Sequence, residues 1–208
     1  SQLERASVAI LYAIAGATAS DLEIFGVNGA ALRYPGWAWL VTDTGTDQDL
    51  RDVWYAPGHG VVAAGLNGTV VEEDQGSLTM LPTASMPLGP LILTVNANAV
   101  YAPAPDDVWV GGASAPIAHW DGVQWNNTYF VREDEWNALW GTGDDLPWAA
   151  GTTLQQYDGA DWISADIPLG MGTYEGMWGT DGSHVIAASE SSVARLDDGV
   201  FSFMPVPL

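Results

Sequence analysis

Short apolar runs separated by turn residues set the pattern of this chain. They are clearest over residues 139–162, LWGTGDDLPWAAGTTLQQYDGADW. Leu139–Thr142 is a first run, broken by Gly143-Asp144-Asp145. Leu146–Ala150 is a second, and Gly151-Thr152 turns again. Thr153–Tyr157 is a third, and Asp158-Gly159 separates it from a fourth that starts at Asp161. Asp-Gly between strand-like runs marks a hairpin, because that turn needs positive φ at positions Asp and Gly tolerate. The stretch therefore predicts one sheet of four short strands. A lone unit of this kind cannot bury both faces and calls for copies of itself.

The copies are present: 14–39, 53–78, 100–125 and 177–201 repeat the same run-and-turn order. The residue that closes each first run serves as a ruler. Ala15, Trp54, Tyr101, Trp140 and Trp178 follow one another at steps of 39, 47, 39 and 38 residues. A turn precedes each fourth strand, at Pro35-Gly36, Gln75-Gly76, Asp121-Gly122, Asp158-Gly159 and Asp198-Gly199. Four strands per repeat at a step near forty residues is the signature of a β-propeller blade. The expected fold is all-β, a five-bladed β-propeller with four antiparallel strands per blade. The blades fall at about 8–41, 53–82, 93–126, 136–167 and 176–205 and fill one domain over 1–208. An irregular sandwich would share the strands but leave the period unexplained. In blade one the strands are expected at 8–15, 22–26, 30–34 and 37–41, with Trp37 and Trp39 on one face of the fourth. The link 83–91, rich in Pro and Met, accounts for the long step, and its Pro87 and Pro90 disfavour a helix. Residues 1–7 could pair with the last blade to close the ring.

Charge changes the functional picture more than the fold. The chain carries 26 Asp plus Glu against 5 Arg, has no Lys, and nets −21. Such a molecule repels nucleic acid and anionic lipid. The acidity suits a saline or extracellular setting, a cationic or basic partner, or the protection of strand edges from pairing; the first is the reading adopted. No Cys is present, so no disulfide or thiol chemistry is available. The run 6–19 is too short and too rich in small residues to span a membrane. Beginning at Ser1, the sequence is compatible with a processed N-terminus and a removed signal peptide.

The pattern W-G-T-x-x-D-[LV]-x-W-A-x-G, then Y/W-D-G-x-x-W, resembles the repeats of secreted bacterial β-propeller proteins, common in myxobacteria. They are loosely akin to photosystem-assembly-factor-like propellers. Trp140, Gly141, Thr142, Asp145, Trp148, Gly151, Tyr157, Asp158, Gly159 and Trp162 carry it in blade four. Asp107, Trp109, Gly111, Trp120, Asp121, Gly122 and Trp125 carry it in blade three. The resemblance implies a propeller in a secreted or cell-surface setting. It brings no catalytic residues and implies binding roles.

Candidate chemistry is sparse. Trp54, Trp140 and Trp178, Trp109 and Trp148, and Trp125 and Trp162 recur at repeat positions, which points to packing between blades. Trp136 falls outside the period beside an acidic link and is the best single candidate for a ligand contact. Turn aspartates such as Asp121, Asp158 and Asp198 are expected to bond nearby backbone amides. Calcium would need several oxygens converging on one point, so no cofactor is expected, with calcium at a turn as the alternative. His59, His119 and His184 have no metal-ligand spacing. No nucleophile elbow or phosphate loop occurs. A carboxylate pair from Glu133, Asp134, Glu135 and Glu175 at the central opening would be the one route to a glycosidase-like hydrolase.

The expected function is therefore non-enzymatic binding of a protein or glycan through the links on one face. The contact residues would be Asp43, Asp47, Tyr129, Arg132, Glu133, Glu135, Trp136, Tyr174 and Glu175. The alternative is a structural subunit that self-associates through Val8–Ala15 and Phe201–Leu208.

Overall fold

The computed structural model describes residues 10–74, 76–88, 91–129, 134–143, 146–166 and 172–206. Sheet I comprises β1 (Leu11–Thr18), β2 (Asp21–Gly26), β3 (Ala31–Tyr34) and β4 (Leu40–Thr42). Sheet II comprises β5 (Leu50–Ala56), β6 (Gly60–Gly65), β7 (Val70–Asp74) and β8 (Ser77–Met80). A two-stranded sheet, β9 (Ser85–Leu88) with β10 (Leu91–Thr94), follows. Sheet III comprises β11 (Ala97–Ala104), β12 (Asp107–Gly112), β13 (Ile117–Trp120) and β14 (Trp125–Tyr129). Sheet IV comprises β15 (Trp136–Trp140), β16 (Trp148–Gly151), β17 (Leu154–Tyr157) and β18 (Trp162–Ser164). Sheet V comprises β19 (Tyr174–Asp181), β20 (His184–Ser189), β21 (Ser192–Asp197) and β22 (Val200–Pro205). In each four-stranded sheet the strands lie in chain order, all antiparallel.

The sheets stack face to face through their first strands. β1 touches β5, β5 touches β11, β11 touches β15 and β15 touches β19. Among the described residues β19 makes no comparable contact with β1. Between sheets I and II the core is Phe25, Val53, Val61 and Val71. Between II and III it is Val62, Val70, Val100 and Val110. Between III and IV it is Tyr101, Trp109, Leu139 and Trp162, and between IV and V it is Trp140, Trp148, Val185 and Leu196. Each fully buried large side chain contributes roughly 2–3 kcal/mol.

Two features of the repeat acquire a physical cause. The Gly after the ruler aromatic makes room for the preceding sheet: a Cβ on Gly141 would stand 2.6 Å from the Tyr101 ring, and one on Gly179 2.6 Å from the Trp140 ring. The Gly that ends the second strand is excluded from having a Cβ by backbone. At Gly26, Gly65, Gly112 and Gly151 that atom would overlap the carbonyl of Ile10, Asp49, Asn96 and Glu135, the residue just before each first strand. Three of these carbonyls accept the amide that follows the glycine, from Val27, Leu66 and Thr152. The turn glycines behave as expected: Gly36, Gly76, Gly122, Gly159 and Gly199 all have positive φ.

Several expectations are corrected. The link 83–91 and the start of the anticipated third blade form the β9–β10 hairpin, a sixth sheet that the repeat does not contain, so sheet III begins at Ala97. Leu88 pairs with Leu91, and Met86 packs into the core between sheets II and III. Trp37 and Trp39 precede β4, because pairing with β3 resumes only at Leu40. Trp178 is 62% exposed, although its repeat equivalents Tyr101 and Trp140 are 1% and 7% exposed. Its row, Trp178, Ile186, Arg195 and Ser202, lies on the side of sheet V away from sheet IV. Residues 1–7, proposed to close the ring, lie outside the described residues.

Candidate functional site

The first strand of every four-stranded sheet carries a β-bulge at the same place. In β1 the pairing jumps from Leu11–Gly26 to Ala13–Phe25, and in β5 from Leu50–Gly65 to Asp52–Ala64. In β11 it jumps from Ala97–Gly112 to Ala99–Gly111, in β15 from Trp136–Gly151 to Ala138–Ala150, and in β19 from Tyr174–Ser189 to Gly176–Ala188. The extra residues are Tyr12, Arg51, Asn98, Asn137 and Glu175. A bulged residue leaves the ladder and its side chain is re-aimed, which is why bulges accompany binding sites. All five are polar-tipped and at least partly exposed. They stand on strands that touch in order, at the end where the links between sheets arrive.

These side chains bond along the row. Arg51 Nη1 donates to Asn98 Oδ1 at 2.8 Å. Asn137 Nδ2 donates to Glu175 Oε2 at 3.2 Å and to the Tyr174 carbonyl at 3.3 Å. Arg51 is electrostatically distinct. Arg33 lies 3.4, 3.8 and 3.3 Å from Asp21, Glu23 and Glu73, and Arg195 is 2.8 Å from Asp197. Among the described residues Arg51 is the arginine without a carboxylate partner. After Tyr12 the row therefore runs from a guanidinium bonded to an amide oxygen, through two amides that both donate and accept, to an exposed carboxylate.

The anticipated contact residues fare unequally. Glu175 belongs to this row. Trp136 and Tyr174 are each 0% exposed, so neither offers a surface to a ligand. Each immediately precedes a bulge, where Leu50 and Ala97 stand in sheets II and III, and that position points into the core. Among the described residues the Trp136 Nε1 and the Tyr174 hydroxyl have no hydrogen-bond partner, and burial raises the Tyr174 pKa. Tyr129 packs edge-on against Trp136 at 5.4 Å. Its hydroxyl donates to Asp134 Oδ2 at 2.8 Å and accepts from Gln155 Nε2 at 3.0 Å. Burial, opposed by the Gln155 bond, raises its pKa. This is a structural bridge. Tyr129→Phe should lower stability by about 1–2 kcal/mol, since the buried Gln155 amide loses a partner; urea unfolding measures it.

Glu135 is partly exposed, and its amide donates to Thr152 Oγ1 at 3.0 Å. Asp43 and Asp47 are exposed in the link before β5; Asp43 accepts the Gly45 amide at 3.0 Å and Asp47 the Gln48 side chain at 2.6 Å. Arg132 and Glu133 lie outside the described residues.

Sequence reasoning missed Tyr12, Arg51, Asn98 and Asn137. The signal was available: each stands three residues before its ruler position, as Glu175 does.

The remaining polar clusters are structural. Asp121 Oδ1 accepts the Val123 and Gln124 amides at 2.9 and 2.8 Å, and Asp158 Oδ1 accepts those of Ala160 and Asp161 at the same distances; these bonds lower both pKa values. His119 stacks on Trp109 at 4.0 Å, and both bond Asp107. Among the described residues no group of three or more His, Asp or Glu is placed to hold a metal ion. A groove of about 510 Å³ between the outer strands of sheets I and II has Arg33 in its lining, already ringed by carboxylates.

Neither a protein-family model nor a curated protein matches the chain. Solved structures do. The WD40 β-propeller domain of Doa1 superposes with a TM-score of 0.71 at 12% identity, covering 95% of this chain and 68% of that one. The fold is that of a β-propeller. YCF48 from Cyanidioschyzon merolae gives a TM-score of 0.66 at 12% identity, over 96% of this chain and 72% of its own. YCF48 bound to D1 peptide gives 0.66 at 12% identity, over 95% and 69%. The bulged row runs along the first strands of its four-stranded sheets.

Proposed function

We propose that this chain is a five-bladed propeller module that binds protein partners without catalysis, and that the bulged row is where it takes an extended peptide segment. The observation that carries the reading is the repetition of one bulge in five blades, with a polar-tipped, solvent-facing residue at each. A peptide laid across the row offers main-chain groups to Asn98 and Asn137, an acidic group or C-terminus to Arg51, and a basic group to Glu175. The fold supports it: YCF48, of the same architecture, has been solved bound to D1 peptide. The net charge of −21 favours a partner that is basic overall. A secreted or cell-surface setting belongs to the same reading.

The test is selection of random linear peptides displayed on phage, followed by titration of synthetic winners. Arg51→Ala and Glu175→Gln should each weaken the selected peptides about tenfold, because each removes a charge-assisted bond. Absence of any enriched peptide, or winners that bind the double variant as tightly as the parent, would sink the proposal.

A further inference from the structure

Sheet I has its polarity turned inside out. Its strands contain three charged residues, Asp21, Glu23 and Arg33. Glu23 and Arg33 lie in the row facing sheet II, where Arg33 meets Asp21, Glu23 and Glu73. The opposite face carries no charge. Ile14, Ile24, Leu32 and Val41 form one unbroken aliphatic row across its four strands. Tyr34 and Trp39 flank it, with ring centroids 5.2 Å apart. Ile14 is 57% exposed, Val41 44% and Trp39 40%.

The same row is covered in every other blade. Its equivalents are Val53, Ala63 and Val71 in sheet II, Val100, Val110 and Ala118 in sheet III, Leu139 and Ala149 in sheet IV, and Ala187 and Ala194 in sheet V. All are buried against the preceding sheet. The outer face of sheet I is thus the continuation of an interface made four times within the molecule.

We propose that this face is a self-association surface, joining two copies of the chain sheet to sheet about a two-fold axis. Charge selects the occupant. A molecule with net charge −21 resists its own copies wherever carboxylates meet, and this face brings none. A basic partner would find nothing here to pair with, whereas a second copy supplies an identical uncharged, aliphatic surface. Two such sheets pack about 10 Å apart with their strands offset by roughly 30°, and an isologous contact is the commonest closed solution. The outer face of sheet V is unlike it: Arg195 lies in its middle row, and Asp197 and His184 occupy the next.

Sedimentation equilibrium of the 208-residue chain at about 0.15 M and about 1 M salt tests this. The expected result is a dimer that tightens at high salt as repulsion between the acidic bodies is screened. Ile14→Lys with Val41→Lys, both at exposed positions, should weaken it at least about tenfold, and Trp178→Lys should leave it unchanged. A monomer at about 100 μM in both salts would overturn the proposal. So would a dimer that survives the paired lysines or is dispersed by Trp178→Lys.

Discussion

Trp140→Ala should lower the free energy of unfolding by about 3–5 kcal/mol, while Trp178→Ala, at the equivalent position one blade later, should cost no more than about 0.5 kcal/mol. Trp140 fills the junction between sheets IV and V. It is 7% exposed and clusters with Trp148, Val185 and Leu196. Its ring lies where a Cβ on Gly179 would be, so the backbone of sheet V is shaped around it. Truncation leaves a void bordered by strand backbone, which cannot collapse to fill it. Trp178 occupies the same register, paired with Ile186 as Trp140 is with Trp148. It projects from the outer face of sheet V and is 62% exposed, so its removal leaves no cavity. Urea unfolding of both variants checks the pair. Equal losses would mean that Trp178 is covered in solution by something these contacts do not show.

This pair also shows how far the sequence could be read. The repeat was legible because its marks are chemical necessities. Gly141 leaves space for the Tyr101 ring, Gly151 leaves space for the Glu135 carbonyl, and Gly159 takes positive φ in the hairpin. Such residues announce themselves in one sequence. Whether a repeat position is covered depends on the neighbouring sheet, and the period says nothing of that; hence Trp178 was expected inside.

Trp136 and Tyr174 failed in the opposite sense. An acidic neighbouring link suggested exposure for Trp136 and a place on a link between repeats did so for Tyr174, yet both stand four residues before the ruler, the position of Leu50 and Ala97, and all four are buried. The β9–β10 hairpin belongs to no repeat, and Pro87 and Pro90 could exclude a helix without revealing the pairing of Leu88 with Leu91. The bulged row was recoverable by counting back from the ruler. Its exposure and its Arg51–Asn98 and Asn137–Glu175 bonds were not.

The protein should be most stable near pH 4 and lose several kcal/mol between pH 5 and pH 8. Two buried carboxyls set this slope. Burial, with the neighbouring Glu73 carboxylate adding to it and Arg33 opposing, pushes Glu23 from 4.5 up to about 7. Burial also pushes Asp52 from 3.8 up to about 6, against the pull of the Val100 and Val53 amides that it accepts. In each case the folded state holds its proton to a higher pH than the unfolded chain. Between the unfolded and folded pKa values the folded state binds more protons, so stability falls as pH rises through that window and levels off above it. For Glu23 the window is 4.5 to about 7, worth roughly 3 kcal/mol at about 1.4 kcal/mol per pH unit.

His184, raised by its bond to Asp181, acts in the same direction. Asp121, Asp158 and Asp181, lowered by hydrogen bonds, lose their contribution only in more acidic solution, and so place the optimum above their range. Glu23→Gln isolates the main component. The amide is neutral at every pH, so the variant should lose roughly 2–3 kcal/mol of the difference between pH 5 and pH 8. It should exceed the parent in stability at pH 8, by less than that amount because the contact with Arg33 weakens. Urea unfolding at pH 5, 6, 7 and 8 decides it. A parent that gains stability toward pH 8, or a Glu23→Gln profile as steep as the parent's, would show that Glu23 is ionised in the folded protein, with Arg33 outweighing its burial.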